Sequence, residues 1–309
     1  MAHESILILP LVRCLCKEKQ GDSFSSHRSG KERFMLQDIA PKHLDNTYRP
    51  ETVPHMGSVV FVFRGNDVLV REGEGKLFPT YAEMNRPEVI IYLFTIGDAA
   101  FYLAEKVEAV PTGFSYTSMR KVRETKNAKQ ASFFALYTAY HLAAWYRANR
   151  FCGTCGETTV MGEKERSLIC PYCGNTIYPR INPAVIVAII HDGKILLTKY
   201  AGPRGYYYAL VAGFTEIGET FEETAAREAM EEVGLKLKNI RYYKSQPWGS
   251  AADILAGFYA DLDGTDEIHL DRMELKTAEW KRPEEVDLQP DDWSLTNEMM
   301  KRFKDGLPC

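Results

Sequence analysis

No stretch of this chain stays apolar for the roughly 20 residues that a helix needs to cross a bilayer. The longest uninterrupted run, Ala184–Ile190, has the length of a strand. A helical membrane protein is excluded. Nor does one sign of charge dominate: 38 Lys and Arg stand against 42 Asp and Glu, a formal net charge of -4. That balance leaves no general field for salt-driven capture of nucleic acid. The apolar patch Ile6–Val12 has neither a basic segment before it nor a small-residue cleavage site after it, so no secretory leader is expected. A disulfide framework is lacking too, because the cysteines number seven and four of them fall into CxxC pairs. This usage suits a reducing compartment and a metal site, and the cytoplasm is the expected location.

What the chain does have is a hydrophobic fraction of 45% over 309 residues, enough for about two globular domains at ~150 residues each. Residues 1–34 are expected to form a tail without a core, since Lys17–Arg33 is polar and shows no period to bury. Residues 35–149 read as an α+β domain. Val59–Phe63 and Asp67–Arg71 flank Arg64-Gly65-Asn66 as one hairpin, and strands at Val89–Ile96 and Ala99–Ala104 flank Gly97-Asp98 as another. The spacing of Phe133, Leu136, Tyr137, Tyr140, Ala144 and Trp145 predicts a helix over 129–148. From 178 to 309 a third region opens with a hairpin, Val185–Ile190 and Lys194–Thr198. It continues with a helix over Phe221–Val233 capped by Gly234, strands at Arg241–Lys244 and Ile254–Leu262, and a short helix at Met299–Lys304.

Between these regions, at 150–177, Cys152 and Cys155 form one CxxC pair and Cys170 and Cys173 the other. Fourteen residues, 156 to 169, separate the pairs. The spacing lets four thiolates converge tetrahedrally on one Zn²⁺, a closed and therefore structural site. A nucleic-acid-binding ribbon would carry the same cysteines. Here, though, Lys164 and Arg166 are the only bases between Cys152 and Cys173, offset by three glutamates, and the segment reads as a scaffold.

The chemistry is expected on the Phe221–Val233 helix. Glu228, Glu231 and Glu232 lie three and four residues apart and stand on one face. Like charges so placed repel one another unless a cation sits among them, and hard oxygen ligands suit Mg²⁺ or Mn²⁺. A solvated acidic face is the plain alternative, but the helix is framed by Gly213, Gly218 and Glu219 before it, Arg227 within it and Gly234 after it.

That frame resembles the Nudix box, Gx5Ex7REUxEExGU with U aliphatic. Gly213, Glu219, Arg227, Glu228, Glu231, Glu232, Gly234 and Leu235 match it, and Ala229 is smaller than the usual residue. The resemblance implies an α/β/α sandwich at 178–309 that hydrolyses nucleoside diphosphates linked to another moiety. Glu228, Glu231 and Glu232 would be its catalytic metal ligands, with Glu219 pairing to Arg227. From about Arg147 to Trp280 the chain is similar to the NADH pyrophosphatase family. The likeness rests on Phe151-Cys-Gly-Thr-Cys-Gly156, Tyr178-Pro-Arg-Ile-Asn-Pro183, Leu210-Val-Ala-Gly-Phe214 and Ser245-Gln-Pro-Trp248. This likeness implies cleavage of NAD(H) to NMN(H) and AMP, removal of NAD caps from RNA as an alternative, and a homodimer. It adds the Ala212 carbonyl and Glu274 to the metal set. It offers Phe214, Tyr178 of a second subunit, Glu165, Arg120, Gln246 and Trp248 as substrate contacts.

The chain departs from that family after Trp248. Pro-Phe-Pro is replaced by Gly249-Ser250-Ala251-Ala252-Asp253, removing an aromatic and two rigid prolines. A small, flexible loop is the expectation there, and with it relaxed use of ADP-ribose or another nucleoside diphosphate derivative.

Overall fold

A computed structural model describes residues 35–87, 89–107, 109–123, 129–202, 206–290 and 293–309. All of them belong to one compact unit, Arg33–Cys309. The tail expected at 1–34 lies outside the described residues.

The N-terminal part contains β1 (Leu44–Asp45), β2 (Val59–Phe61), β3 (Phe63–Arg64), β4 (Asp67–Arg71), β5 (Ile90–Ile96), β6 (Ala99–Ala104), β7 (Phe114–Ser118), α1 (Met119–Arg123) and α2 (Gln130–Ala148). One sheet runs β1-β5-β6-β2 and a second β3-β4-β7. The strand expected at Val59–Phe63 is divided. Val59–Phe61 pairs in parallel with β6, and only Phe63–Arg64 closes the hairpin on β4. Helix α2 closes the core: Phe133, Ala135, Leu136 and Ala139 are buried beside Phe61, Leu93 and Phe94. Eleven of its residues are buried, which is why its sequence is apolar on more than one stripe.

The ribbon follows as β8 (Val160–Met161), β9 (Leu168–Ile169) and β10 (Thr176–Ile177), an antiparallel sheet of order β10-β9-β8. It is fastened to the N-terminal part. Tyr48 Oη donates to the Gly162 carbonyl at 2.7 Å, and the Arg166 guanidinium donates to the Leu93 carbonyl at 2.5 Å.

The C-terminal part holds β11 (Asn182–His191), β12 (Lys194–Tyr200), β13 (Val211–Phe214), α3 (Phe221–Val233), β14 (Leu237–Trp248), β15 (Asp253–Leu262), β16 (Leu275–Lys281) and α4 (Leu295–Lys304). Its mixed sheet runs β14-β15-β11-β12-β16, with β13 on β11 and β11 parallel to β15. Alternation along the strands sorts the side chains to two faces. Val185, Val187, Val211 and Phe258 pack on Ala225, Ala229 and Val233 of α3. Ile186, Ala188, Leu210 and Tyr259 pack on Leu295, Met299, Met300 and Phe303 of α4. The result is the α/β/α sandwich expected from the sequence. Ala229 is fully buried, so its small side chain lets α3 lie close to the sheet.

Candidate catalytic and metal sites

The four ribbon cysteines come together as their spacing predicts. Sγ of Cys152 lies 3.6 Å from that of Cys173, and Sγ of Cys155 lies 3.5 Å from those of Cys170 and Cys173. All four sulfurs fall within 4.8 Å of one another. A tetrahedron with Zn–S bonds of about 2.3 Å has edges of roughly 3.8 Å, so the donor set fits zinc. Backbone N–H groups of Thr154 and Cys155 hold the Cys152 thiol down at about 6, and that of Cys173 lowers Cys170. Desolvation and the neighbouring sulfurs raise Cys155 and Cys173, so two of the four thiols are prepared as thiolates and the other two release their protons on binding metal.

Helix α3 begins with a capping box. Thr220 Oγ1 accepts from the Glu223 N–H, and the Glu223 carboxylate accepts from the Thr220 N–H. Gly234 ends it in the left-handed conformation at φ 72°. The helix start is therefore fixed, and with it the face on which the carboxylates stand.

Arg227 is the hub of that face. Its Nε donates to Glu219 Oε1 at 2.6 Å and its Nη2 to Glu219 Oε2 at 3.0 Å. A second donation from Nη2 reaches the Phe214 carbonyl at 2.9 Å, while Nη1 bridges Glu228 Oε1 at 2.7 Å and Glu231 Oε2 at 2.9 Å. Bound in this manner, the Glu219 carboxyl is held down at about 2, chiefly by Arg227. The pairing of Glu219 with Arg227 implied by the family likeness is present.

Glu232 has a different environment. It is buried, its Oε2 finds no hydrogen-bond partner, and desolvation followed by the charges of Glu228 and Glu274 pushes its carboxyl up to about 8. The Ala212 N–H bonds to it, which brings the end of β13 against the helix. Burial also raises Glu228. Gly213 leaves room for that side chain: a Cβ at 213 would lie 2.0 Å from the Glu228 carboxyl carbon. Glu274 is exposed in the turn just before β16, its carbonyl accepting from the Ala201 N–H at 2.8 Å. An orphaned, desolvated carboxylate oxygen among other acidic groups fits a hard divalent cation. Among the described residues only the cysteines gather within 4.8 Å, and the carboxylates of α3 are spread wider.

The expected substrate contacts divide into two groups. Phe214 and Tyr178 are 53% and 55% exposed, so both rings are open to a ligand. Tyr178 Oη donates to Glu165 Oε1 at 2.8 Å, so those two residues are together in space. Arg120 lies on α1, an exposed position. Gln246, by contrast, is fully buried. Its amide donates to Gln37 Oε1 and the Trp293 carbonyl and accepts from the Leu295 N–H, which ties β14 to the start of α4. Trp248 packs edge-on against Tyr137 of α2, with ring centroids 5.5 Å apart.

The segment after Trp248 is not the loose loop expected from its composition. Ala251 N–H donates to the Trp248 carbonyl and Ala252 N–H to the Gly249 carbonyl, and the turn lies against α2. A Cβ on Gly249 would stand 2.2 Å from the Tyr137 carbonyl oxygen. Position 249 therefore admits glycine alone, because the α2 backbone occupies the space of any side chain there. Asp253, just after this turn, is buried with Oδ1 unpartnered, a functional candidate that sequence patterning did not single out. Its only sequence signal was its place in the departure from the family.

Known proteins match both the ribbon and the C-terminal part. The NUDIX domain profile matches residues 180–303, and the NADH pyrophosphatase zinc ribbon profile matches residues 147–178. The chain is 38% identical over 183 residues to the "NAD-capped RNA hydrolase NudC" of Enterobacter sp. (strain 638), covering 59% of this chain and 70% of that protein. It is 36% identical over 183 residues to the protein of the same name in Escherichia coli (strain SMS-3-5 / SECEC), covering 59% of this chain and 71% of that protein. A crystal structure of a NUDIX hydrolase from Nitrosomonas europaea superposes with a TM-score of 0.45 at 26% identity, covering 52% of this chain and 95% of that one. The chain belongs to the Nudix hydrolases that carry the NADH pyrophosphatase zinc ribbon.

Proposed function

We propose that this protein hydrolyses the pyrophosphate bond of NAD(H), giving NMN(H) and AMP, and that the end of an NAD-capped RNA enters the same site. The observation that carries the reading is the buried, unpartnered oxygen of Glu232 beside Glu228 and Glu274, at the foot of a strand that ends in exposed Phe214. Relatives named NAD-capped RNA hydrolase over this same region support the choice of a dinucleotide.

In this reading Glu228, Glu231, Glu232, Glu274 and the Ala212 carbonyl hold Mg²⁺ or Mn²⁺. When bound, these ions supply charge neutralisation for the pyrophosphate oxygens and lower the pKa of water for attack on phosphorus. Arg227 orients Glu228 and Glu231 through Nη1, and Glu219 fixes Arg227 in turn. One carboxylate of the set accepts the proton of the attacking water. Phe214 offers a flat face to the pyridine ring. Tyr178, braced by Glu165, supplies the opposing face from the partner subunit of a homodimer. Arg120 contacts the substrate from α1, whereas Gln246 and Trp248 shape the pocket from behind. The zinc serves the fold alone. Four cysteines gathered as metal ligands rather than paired as disulfides support a cytoplasmic setting.

A second reading has its own observation. The altered turn at Gly249–Asp253 supports a preference for ADP-ribose or another nucleoside diphosphate derivative. Initial rates on NADH, NAD⁺, ADP-ribose and NAD-capped RNA, each with Mg²⁺ and with Mn²⁺, separate the two. NADH and NAD⁺ are expected to be cut at least as efficiently as ADP-ribose; an ADP-ribose-only enzyme would replace the first reading by the second.

A further inference from the structure

Three tyrosines stand in a row before β13, Tyr206-Tyr207-Tyr208, and the last of them is anchored. Tyr208 packs on the α4 side of the sheet and donates through Oη to Glu279 Oε2 at 3.3 Å. Lys199 Nζ lies 4.1 Å from its ring centroid, and Gln289 Nε2 donates to its carbonyl at 2.9 Å. Tyr206 and Tyr207, by contrast, are 75% and 51% exposed.

The loop that carries these rings starts and ends at the metal set. At its start the Ala201 N–H donates to the Glu274 carbonyl, and the charge of Glu274 acts on both Glu228 and Glu232. At its end Ala209 exchanges both backbone hydrogen bonds with Thr198, and the chain runs on through Leu210 and Val211 to Ala212. The register places Tyr207. Next to the antiparallel Thr198–Ala209 pair, Lys199 comes opposite Tyr208, in keeping with their contact, and Tyr200 then comes opposite Tyr207. Tyr200 packs on the α3 core and pairs with Leu275, the neighbour of Glu274. Alternation therefore turns Tyr207 to the α3 face, two strand spacings from Leu275, or roughly 10 Å. The α3 carboxylates meet β13 at Ala212 and Gly213, between Tyr207 on one side and Phe214 on the other.

We propose that Tyr207 is the stacking platform for the adenine of the substrate. With the pyrophosphate on the metal set, the AMP half lies toward Glu274 with its base on Tyr207, and the other half reaches Phe214. A tyrosine ring stacks on the face of a base whatever groups its edge carries. Tyr208, held by Glu279, Lys199 and Gln289, fixes the backbone from which Tyr207 projects. The inference rests on the substrate reading above only through the adenosine half, which NAD(H) and ADP-ribose share.

The test uses the purified full-length protein with Mn²⁺, as wild type, Tyr207→Ala and Tyr207→Phe. It measures dissociation constants of AMP and of NMN by calorimetry, beside KM for NAD⁺ and for ADP-ribose. Tyr207→Ala is expected to weaken AMP by about tenfold and to raise both KM values by a similar factor, with NMN affinity and melting temperature near wild type. Tyr207→Phe keeps the ring and is expected to bind AMP as wild type does. AMP affinity unchanged in Tyr207→Ala overturns the proposal. So does an equal loss for AMP and NMN, which marks damage to the metal set instead. Cleavage of ADP-ribose with NAD⁺ untouched overturns the NAD(H) reading alone, and the AMP affinities then still support or overturn the platform.

Discussion

Arg227 grips both oxygens of Glu219, with Nε at 2.6 Å from one and Nη2 at 3.0 Å from the other, while its remaining nitrogen holds Glu228 and Glu231. A planar fork is needed for this geometry, and a point charge does not replace it. Arg227→Lys is therefore expected to keep the fold but lower kcat by about 10–100-fold, because Glu228 and Glu231 lose their common anchor. Steady-state kinetics beside a melting curve check both halves of this expectation.

The same pair has a pH signature. Glu219 is held at about 2 in the folded protein against a usual 4.5. A depressed carboxyl contributes stability that is complete above its unfolded value and is lost as pH falls through its folded one. Wild type should accordingly be more stable than Glu219→Gln above pH 4.5, and the gap should close between pH 4.5 and about 2. Urea unfolding midpoints across that range measure it; a gap that persists at the acid end would remove Arg227 as the cause.

Glu232 has the opposite sign. Its carboxyl is raised to about 8, so the metal-free fold is favoured while the group is protonated and loses stability as pH climbs from 4.5 to about 8. Glu232→Gln should stabilise the metal-free protein at pH 8, with little effect at pH 4.5. Adding Mn²⁺ should stabilise wild type at pH 8 more than the variant. Melting temperatures in chelator and in Mn²⁺ check the prediction.

Gly213 is a steric gate for Glu228. A methyl group there would overlap the carboxyl at 2.0 Å, so Gly213→Ala must displace Glu228. Activity should fall by about a hundredfold or more while the ribbon keeps its zinc. A variant with wild-type turnover would mean that Glu228 does not need its present position.

One zinc per chain is expected, bound by Cys152, Cys155, Cys170 and Cys173. Cys170→Ser should release it and lower the melting temperature, since Cys170 is buried where the ribbon turns. Metal analysis after exhaustive dialysis measures the stoichiometry.

Much of this was legible in the sequence, and the exceptions have physical reasons. Helix α3 runs over Phe221–Val233 as its pattern indicates, because Thr220, the buried Ala225–Ala229–Val233 stripe and Gly234 all specify the same element. Phe61 and Phe63 read as one strand, yet they serve two sheets, and the parallel partner of Val59–Phe61 lies some forty residues on, at Phe101–Leu103. The strand expected at Arg241–Lys244 extends over Leu237–Trp248; register breaks between Lys238 and Arg241 and between Tyr242 and Lys244 interrupt its alternation. The last helix starts at Leu295 rather than Met299 because Ser294 caps it, accepting from the Asn297 N–H. At the site, the spacing singled out Glu228, Glu231 and Glu232 on one helix face, whereas Glu274 entered only through the family likeness. The orphaned oxygens of Glu232 and Asp253 were not, since burial depends on what folds over a residue from far along the chain.

The central claim is metal-dependent cleavage of a dinucleotide pyrophosphate at the α3 carboxylates. Chromatographic identification of the products from NADH and Mn²⁺, with wild type and with Glu232→Gln, tests it most directly. The account predicts NMNH and AMP in equal amounts from wild type and a loss of about a thousandfold in the variant. NADH left intact by the wild-type protein, or cleaved equally well by Glu232→Gln, would contradict it.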